Sequence, residues 1–265
     1  MELGKYKNMN NIKHVISFSG GIGSFAEAKN CCDKFGADNV KLLFADTLME
    51  DEDLYRFIDE CVAYLGCEFE RICEGRTPFQ VFKDERFMGN SRKDPCSKIL
   101  KRNFLNKKIK NDYQPDEVHV HLGIDYSESH RLSEVESRMI PYVYRSTLIE
   151  DGLIIHKSYS EQFGIRSPRL YGWGLGHNNC RGFCIKAGLG HFKALYIASK
   201  ETYLEFEREE LLVYGTIGKK FPFLKIQRNK VIRFITLREY RLEFLEKDDV
   251  TYDESIEFGG CGCAI

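Results

Sequence analysis

The residues of this 265-residue chain that could do chemistry fall in a few short stretches. Ser19-Gly20-Gly21-Ile22-Gly23-Ser24 follows an apolar run (Val15, Ile16, Phe18) and leads at once into the helix-like Phe25-Ala26-Glu27-Ala28. Gly20, Gly21 and Gly23 can take conformations that a Cβ forbids, so that successive N–H groups point into one concavity. The free N–H groups and positive end of the helix add attraction for an anion, with Ser19 and Ser24 as hydroxyls at the two rims. That chemistry is a phosphate cradle. Asp46-Thr47 closes a second apolar run, and Asp46 reads equally as a functional acid or as a helix cap. Pro95-Cys96-Ser97 enters the basic segment Lys98 to Lys108, which contains Lys101 and is either a solvated helix face or a partner for phosphates. Gly123 ends a strand-like run, with Glu128, Ser129 and Arg131 behind it.

The ten cysteines divide into two kinds. Cys31, Cys32, Cys61, Cys67 and Cys73 lie in apolar patterns and read as small buried hydrophobes. Cys96, Cys180, Cys184, Cys261 and Cys263 sit beside glycine, proline and polar residues, where ligands and nucleophiles occur. The first eleven residues lack the apolar core of a signal peptide, so metal or redox chemistry is expected over a disulfide framework. Three readings stay open. Cys180, Cys184, Cys261 and Cys263 can hold one tetrahedral zinc or a [4Fe–4S] cluster, with Cys96 able to replace one of them. Alternatively the glycine-flanked tail is a thiol arm, although Cys96, at the start of a basic helix, better suits a thiol of lowered pKa. In the third reading Cys180 and Cys184 only pack. His119 and His121 share one side of a strand, a spacing that metals sometimes use, and the plainer reading is a pair of satisfied core histidines. His177, Asn178, Asn179 and Lys186 frame the Cys180–Cys184 pair as contacts for a substrate anion or as caps of its turns.

Strands and helices must position these groups. Val40 to Asp46 and Glu68 to Cys73 read as strands flanking a helix with apolar residues at Leu54, Phe57, Ile58, Cys61, Val62 and Leu65. Val118 to Ile124 is the clearest alternating strand, and Tyr142 to Tyr144 a fifth. The alternation predicts a doubly wound α/β fold with a mostly parallel five-stranded sheet and ligands at the carboxyl ends of its strands. Residues 12–155 are expected to form this nucleotide-binding domain, and 156–265 a helical C-terminal region carrying Cys-x3-Cys and the Cys-x-Cys tail. In that region 189–198 and 200–212 read as helices, the second as a Glu-rich solvated face, 217–222 as loop and 236–244 as helix. Basic and acidic residues nearly cancel, 39 against 40, so there is no global electrostatic footprint for nucleic acid. No apolar run approaches the ~18 residues of a spanning helix. The expectation is a soluble, cytoplasmic protein without a membrane partner.

Taken in order, these stretches resemble the PP-loop ATP pyrophosphatase superfamily, in its phosphoadenosine-phosphosulfate-reductase-like branch. The resemblance rests on S-G-G-x-x-S at Ser19 to Ser24, F-A-D-T at Phe44 to Thr47 and P-C-S-x-x-L-K at Pro95 to Lys101. It continues in G-I-x-x-x-E-S-x-R at Gly123 to Arg131, G-I-x-x-P-x-L-Y at Gly164 to Tyr171, and Cys180-x3-Cys184. It implies an adenine nucleotide, ATP or a relative, bound with Mg2+. Ser19, Gly20, Gly21, Gly23 and Ser24 would hold the phosphates, and Asp46 with Thr47 would position magnesium or the adenosine. Gly123, Glu128, Ser129 and Arg131 would close the site, with Lys101 as a further cation and Cys96, Asp46 and Arg131 as the catalytic candidates. The implied reaction is adenylation of a substrate with pyrophosphate release, for sulfur transfer to a nucleic acid or small molecule. The alternatives are a nucleotide-sulfate reductase using cysteine thiols, and a non-catalytic nucleotide sensor or complex subunit; a homo-oligomer is also open. The chain departs from the pattern at Ile22-Gly23, where many members place a lysine and an acid, which turns attention to Lys101, Arg131 and Asp46. Its tail, Cys261-Gly262-Cys263, also differs from the reductases' terminal motif.

Overall fold

A computed structural model describes residues 12–90, 93–228 and 230–247. Five parallel strands form the central sheet: β1 (Lys13–Ser17), β2 (Val40–Asp46), β3 (Glu68–Cys73), β4 (Val118–Leu122) and β5 (Val143–Arg145), in the order β3-β2-β1-β4-β5. The chain moves outward from β1 in one direction, then returns to place β4 on its other side, where Ile16 pairs with Leu42 and with His121. The order therefore reverses between β1 and β4, which leaves a crevice outside their carboxyl ends.

Helices cover both faces, because strand residues alternate between them and both sets are apolar. On one face Ile16, Phe18, Leu42 and Phe44 pack under α1 (Ile22–Phe35) and α2 (Glu52–Leu65), through Phe25, Ala28 and Cys31 and through Phe57, Ile58 and Cys61. α2 is bounded by chemistry legible in its sequence: the Asp51 side chain accepts from Asp53 N at its start, and Gly66 at φ +62° ends it. On the other face Val15, Leu43, Ala45, Val120 and Leu122 pack under a helical stretch over 95–112 and a helix His130–Met139, through Leu105, Ile109, Leu132 and Val135. Lys98–Asn103 within 95–112 is wound as a π-helix, a local form frequent at functional sites.

A further core unites Phe79, Phe82 and Met88, on and just after helix Pro78–Asp84, with the C-terminal residues Leu170, Phe183, Phe192, Phe206 and Tyr240. One expectation for this part needs correction, and one element goes beyond it. Beyond the helices Leu189–Ala198 and Lys200–Ile217 the chain forms an antiparallel hairpin, β6 (Leu224–Arg228) and β7 (Val231–Ile235), between the expected loop and the expected helix, which runs over Leu237–Tyr240 and Arg241–Leu245. It is anchored by Leu224, Ile226 and Ile235, while Val231, Ile232 and Phe234 are exposed, so the sequence carries no clean alternation. The Glu-rich helix is not a uniformly solvated face. Glu207 is buried against the Arg241 guanidinium, at 2.7 and 2.9 Å, and Glu210 accepts from Leu237 N at 2.9 Å and from the Tyr214 hydroxyl. Burial pushes the Glu210 carboxyl up to about 7.

Candidate functional site

The crevice at the β1–β4 reversal opens into a cavity of about 450 Å³. Its floor is the turn between β1 and α1. Gly20 takes φ +73°, and a Cβ there would lie 2.6 Å from Leu54 Cδ1. Gly23 and Gly123 touch: a Cβ on Gly123 would fall 2.5 Å from Ser24 Cα, and one on Gly23 would fall 2.7 Å from Gly123 O. The loop after β4 thus occupies the space that a side chain at position 23 needs, which explains glycine where the resembling pattern carries an acid.

The serines divide the work of the turn. Ser24 is buried and donates to Gly21 O at 2.8 Å, and its oxygen accepts from Ser19 N and Ser19 Oγ, both at 3.2 Å. It staples the loop, and both Ser24 and the half-buried Ser19 line the cavity. The amides of Ile22, Gly23 and Ser24 lie in the first turn of α1, where no intrahelical acceptor exists. Ile22 N–H donates to the Tyr171 hydroxyl at 3.4 Å, so the glycine-rich C-terminal part closes over the cradle.

Three cations face this floor. Lys101, on the π-helical turn, is 6% exposed and lies 3.2 Å from Glu50 Oε1. Arg131 pairs with Glu128, and both line the cavity with Gly123, Asp125 and Ser127. Lys157 donates to Leu175 O at 3.1 Å and stands over the Tyr171 ring, with no carboxylate partner among the described residues. Asp125 is structural in part: its oxygens accept from Ser127 N and Ile155 N, each at 2.9 Å. Ser129 lies at the start of His130–Met139 and does not line the cavity.

The opposite wall is Gly176, His177, Asn178 and Asn179. Asn178 is 3% exposed, and neither its amide nitrogen nor its oxygen has a hydrogen-bond partner among the described residues. An unsatisfied buried amide costs about 1–3 kcal/mol, and this one is carried by a residue of the cavity wall.

Asp46 sits elsewhere. It is fully buried, accepts from Leu48 N at 2.7 Å and the Tyr55 hydroxyl at 3.0 Å, and pairs with Arg71, outside the cavity lining. Glu50, which the sequence motifs do not single out, occupies the central position. It takes Thr47 Oγ1 at 2.9 Å and Lys101 on one oxygen and the Cys180 amide at 2.5 Å on the other. One buried carboxylate thereby ties the basic helix to the cysteine loop.

Cys96, Cys180 and Cys184 line one small cavity of about 20 Å³ with Asp94 and Lys186. Asn179 lines both this cavity and the larger one, so the three thiols stand directly behind the wall of the crevice. The loop between them is strained: Cys180 and Arg181 take φ +50° and +53°, and Gly182 takes +91°. Consecutive non-glycine residues in the left-handed region cost of order 1–3 kcal/mol each and persist where packing or function requires them. Cys261 and Cys263 lie outside the described residues. Of the cysteines read as hydrophobes, Cys31 and Cys61 are fully buried, whereas Cys73 is exposed at the end of β3. His121 is fully buried, with His14 Nδ1 2.9 Å from its Nε2 and Glu27 Oε1 2.9 Å from its Nδ1.

No protein-family model matches the chain, and no curated protein matches it. The five-stranded parallel order is compatible with a PP-loop fold, and no described helix is long and apolar enough to cross a membrane.

Proposed function

We propose that this chain binds ATP in the crevice between β1 and β4 and adenylates an acceptor, releasing pyrophosphate, as the activating half of a sulfur transfer. The observation that carries the reading is one cavity in which a glycine turn at a helix N-terminus faces Lys101, Arg131 and Lys157 across a gap of nucleotide size. In this assignment the α1 amides and the three cations neutralise the triphosphate, and Tyr171 excludes water from above. Asp125 and Glu128 are the acids lining the cavity and would hold Mg2+, whose chemistry is to offset charge building on the pyrophosphate leaving group. An acceptor oxygen attacks the α-phosphorus and pyrophosphate departs; a sulfur nucleophile then displaces AMP with that oxygen. The Cys96, Cys180 and Cys184 group, one residue behind the wall, is the candidate to deliver the sulfur or hold the centre that does.

The same juxtaposition of thiols and crevice supports one alternative. In a nucleotide-sulfate reductase a thiolate attacks the sulfate sulfur, the nucleotide phosphate leaves, and a second thiol releases sulfite while a disulfide forms. The test is titration calorimetry with MgATP followed by product analysis. ATP binding abolished by Gly21→Arg, with pyrophosphate formed on turnover, supports adenylation. Sulfite from a nucleotide sulfate, without pyrophosphate, supports the reductase, and unchanged ATP affinity in Gly21→Arg removes the nucleotide site altogether.

A further inference from the structure

The buried side of α1 carries a second polar cluster, away from the crevice. Glu27 and Cys31 stand one turn apart on α1, His121 projects from β4, and all three are fully shielded from solvent. Glu27 Oε1 lies 2.9 Å from His121 Nδ1, and Cys31 Sγ lies 3.2 Å from that nitrogen and 3.5 Å from Glu27 Oε1. We propose that these three atoms form a structural zinc site, with the Thr147 hydroxyl, 3.8 Å from Cys31 Sγ, as the fourth ligand.

The donor set is one carboxylate oxygen, one imidazole nitrogen and one thiolate, all ligands that zinc accepts together. Tetrahedral zinc with bonds of about 2.0–2.3 Å separates its ligand atoms by about 3.3–3.6 Å. The observed triangle therefore needs to open by only a few tenths of an ångström to admit the ion. The surroundings hold the ligands in place. His14 Nδ1 lies 2.9 Å from His121 Nε2, a hydrogen bond on the far nitrogen of the kind that orients metal-binding imidazoles. Glu27 is gripped by Thr147 N at 2.8 Å, Leu148 N at 3.1 Å and Ser146 Oγ at 3.0 Å. Asn30 Nδ2 donates to Thr147 Oγ1 at 3.0 Å, fixing that hydroxyl. On binding, Zn2+ displaces the Cys31 thiol proton to solvent, and the ion with one thiolate and one carboxylate makes a neutral buried centre. The result is a clamp joining α1, which carries the phosphate turn, to β4 and to the short helix Thr147–Glu150. It does not depend on the nucleotide reading or on the C-terminal cysteines.

The test is metal analysis of the full chain as purified, of the same chain stripped by chelator and titrated with Zn2+ or Co2+, and of the Cys31→Val variant, which keeps the buried volume. The expectation is one equivalent fewer zinc in Cys31→Val than in wild type, with loss of a thiolate-to-cobalt absorption band and of the zinc-dependent rise in Tm. To separate this site from the other thiols, a chain with Cys180, Cys184, Cys261 and Cys263 all changed to serine should still take up one equivalent and still show the band. Equal metal content in wild type and Cys31→Val overturns the proposal. So does a stripped wild-type chain whose Tm ignores added zinc, a result that stands even if a variant fails to fold.

Discussion

The two ends of α1's polar chemistry make an instructive contrast. At its N-terminus, in the crevice, an exposed cation faces open space: Lys157 has no carboxylate partner among the described residues. Along its buried side, Glu27, Cys31, His121 and His14 face only one another and the chain around them. The residue types overlap, and the packing separates their uses. An exposed cation with no carboxylate beside it is arranged for an anion that arrives and leaves. A group whose partners are all supplied within 3.5 Å holds elements together and has room for a bare ion at most. Chemistry at the open end and attachment at the closed side therefore ought to fail independently.

The contrast can be broken most sharply at its closed side. Glu27→Ala strands the Thr147 and Leu148 amides and removes the carboxylate beside His121, and is expected to cost about 3–5 kcal/mol, measured by urea unfolding. An unfolding free energy within about 0.5 kcal/mol of wild type would show that the cluster holds nothing. Glu210 extends the test to another closed polar site. Its folded pKa of about 7 exceeds the ordinary carboxyl value, so the folded state binds the proton more tightly than the unfolded chain. Stability should therefore be full below the ordinary carboxyl range and fall as pH rises from there through about 7, by about 3 kcal/mol. Glu210→Gln should flatten that dependence between pH 4.5 and 8, and an unflattened profile would place the titrating group elsewhere.

At the open end smaller effects on stability and selective effects on binding are expected. Gly123→Ala puts a methyl group 2.5 Å from Ser24 Cα and should cost about 1–3 kcal/mol by overpacking. It should also weaken ATP binding by displacing the turn; a destabilised variant with wild-type affinity would separate the turn from the ligand. The smallest change is Lys157→Ala, an exposed substitution expected to leave unfolding within about 0.5 kcal/mol. It should weaken ATP binding about tenfold, or about 1.4 kcal/mol, read by calorimetry. Lys157→Arg should restore much of that loss if charge near the phosphates is what matters.

The parts of this molecule that one short window of sequence determines are its turns, strands and helices. The Ser19–Ser24 turn, the strands at Val40–Asp46 and Glu68–Cys73 and helix Glu52–Leu65 follow from glycine conformation, apolar runs and a capping aspartate, all local causes. Their alternation was enough for a doubly wound parallel sheet, and so for a crevice at the carboxyl ends of its strands. Tertiary structure alone decided which polar groups meet there. Lys157 and Asn178 carry no motif, and Glu50 was one acid in a cluster of four until folding set it between Lys101 and the Cys180 amide. Asp46, prominent in sequence, was turned aside by Arg71 and Tyr55. The Glu27–Cys31–His121 cluster joins a helix to a strand some ninety residues away, and Glu210 is capped by the amide of Leu237, at the start of a helix twenty-seven residues further on. Propensity and periodicity act over a few residues, whereas burial and electrostatic partnership arise only when distant segments pack; the sites of this protein are made of the second kind of cause.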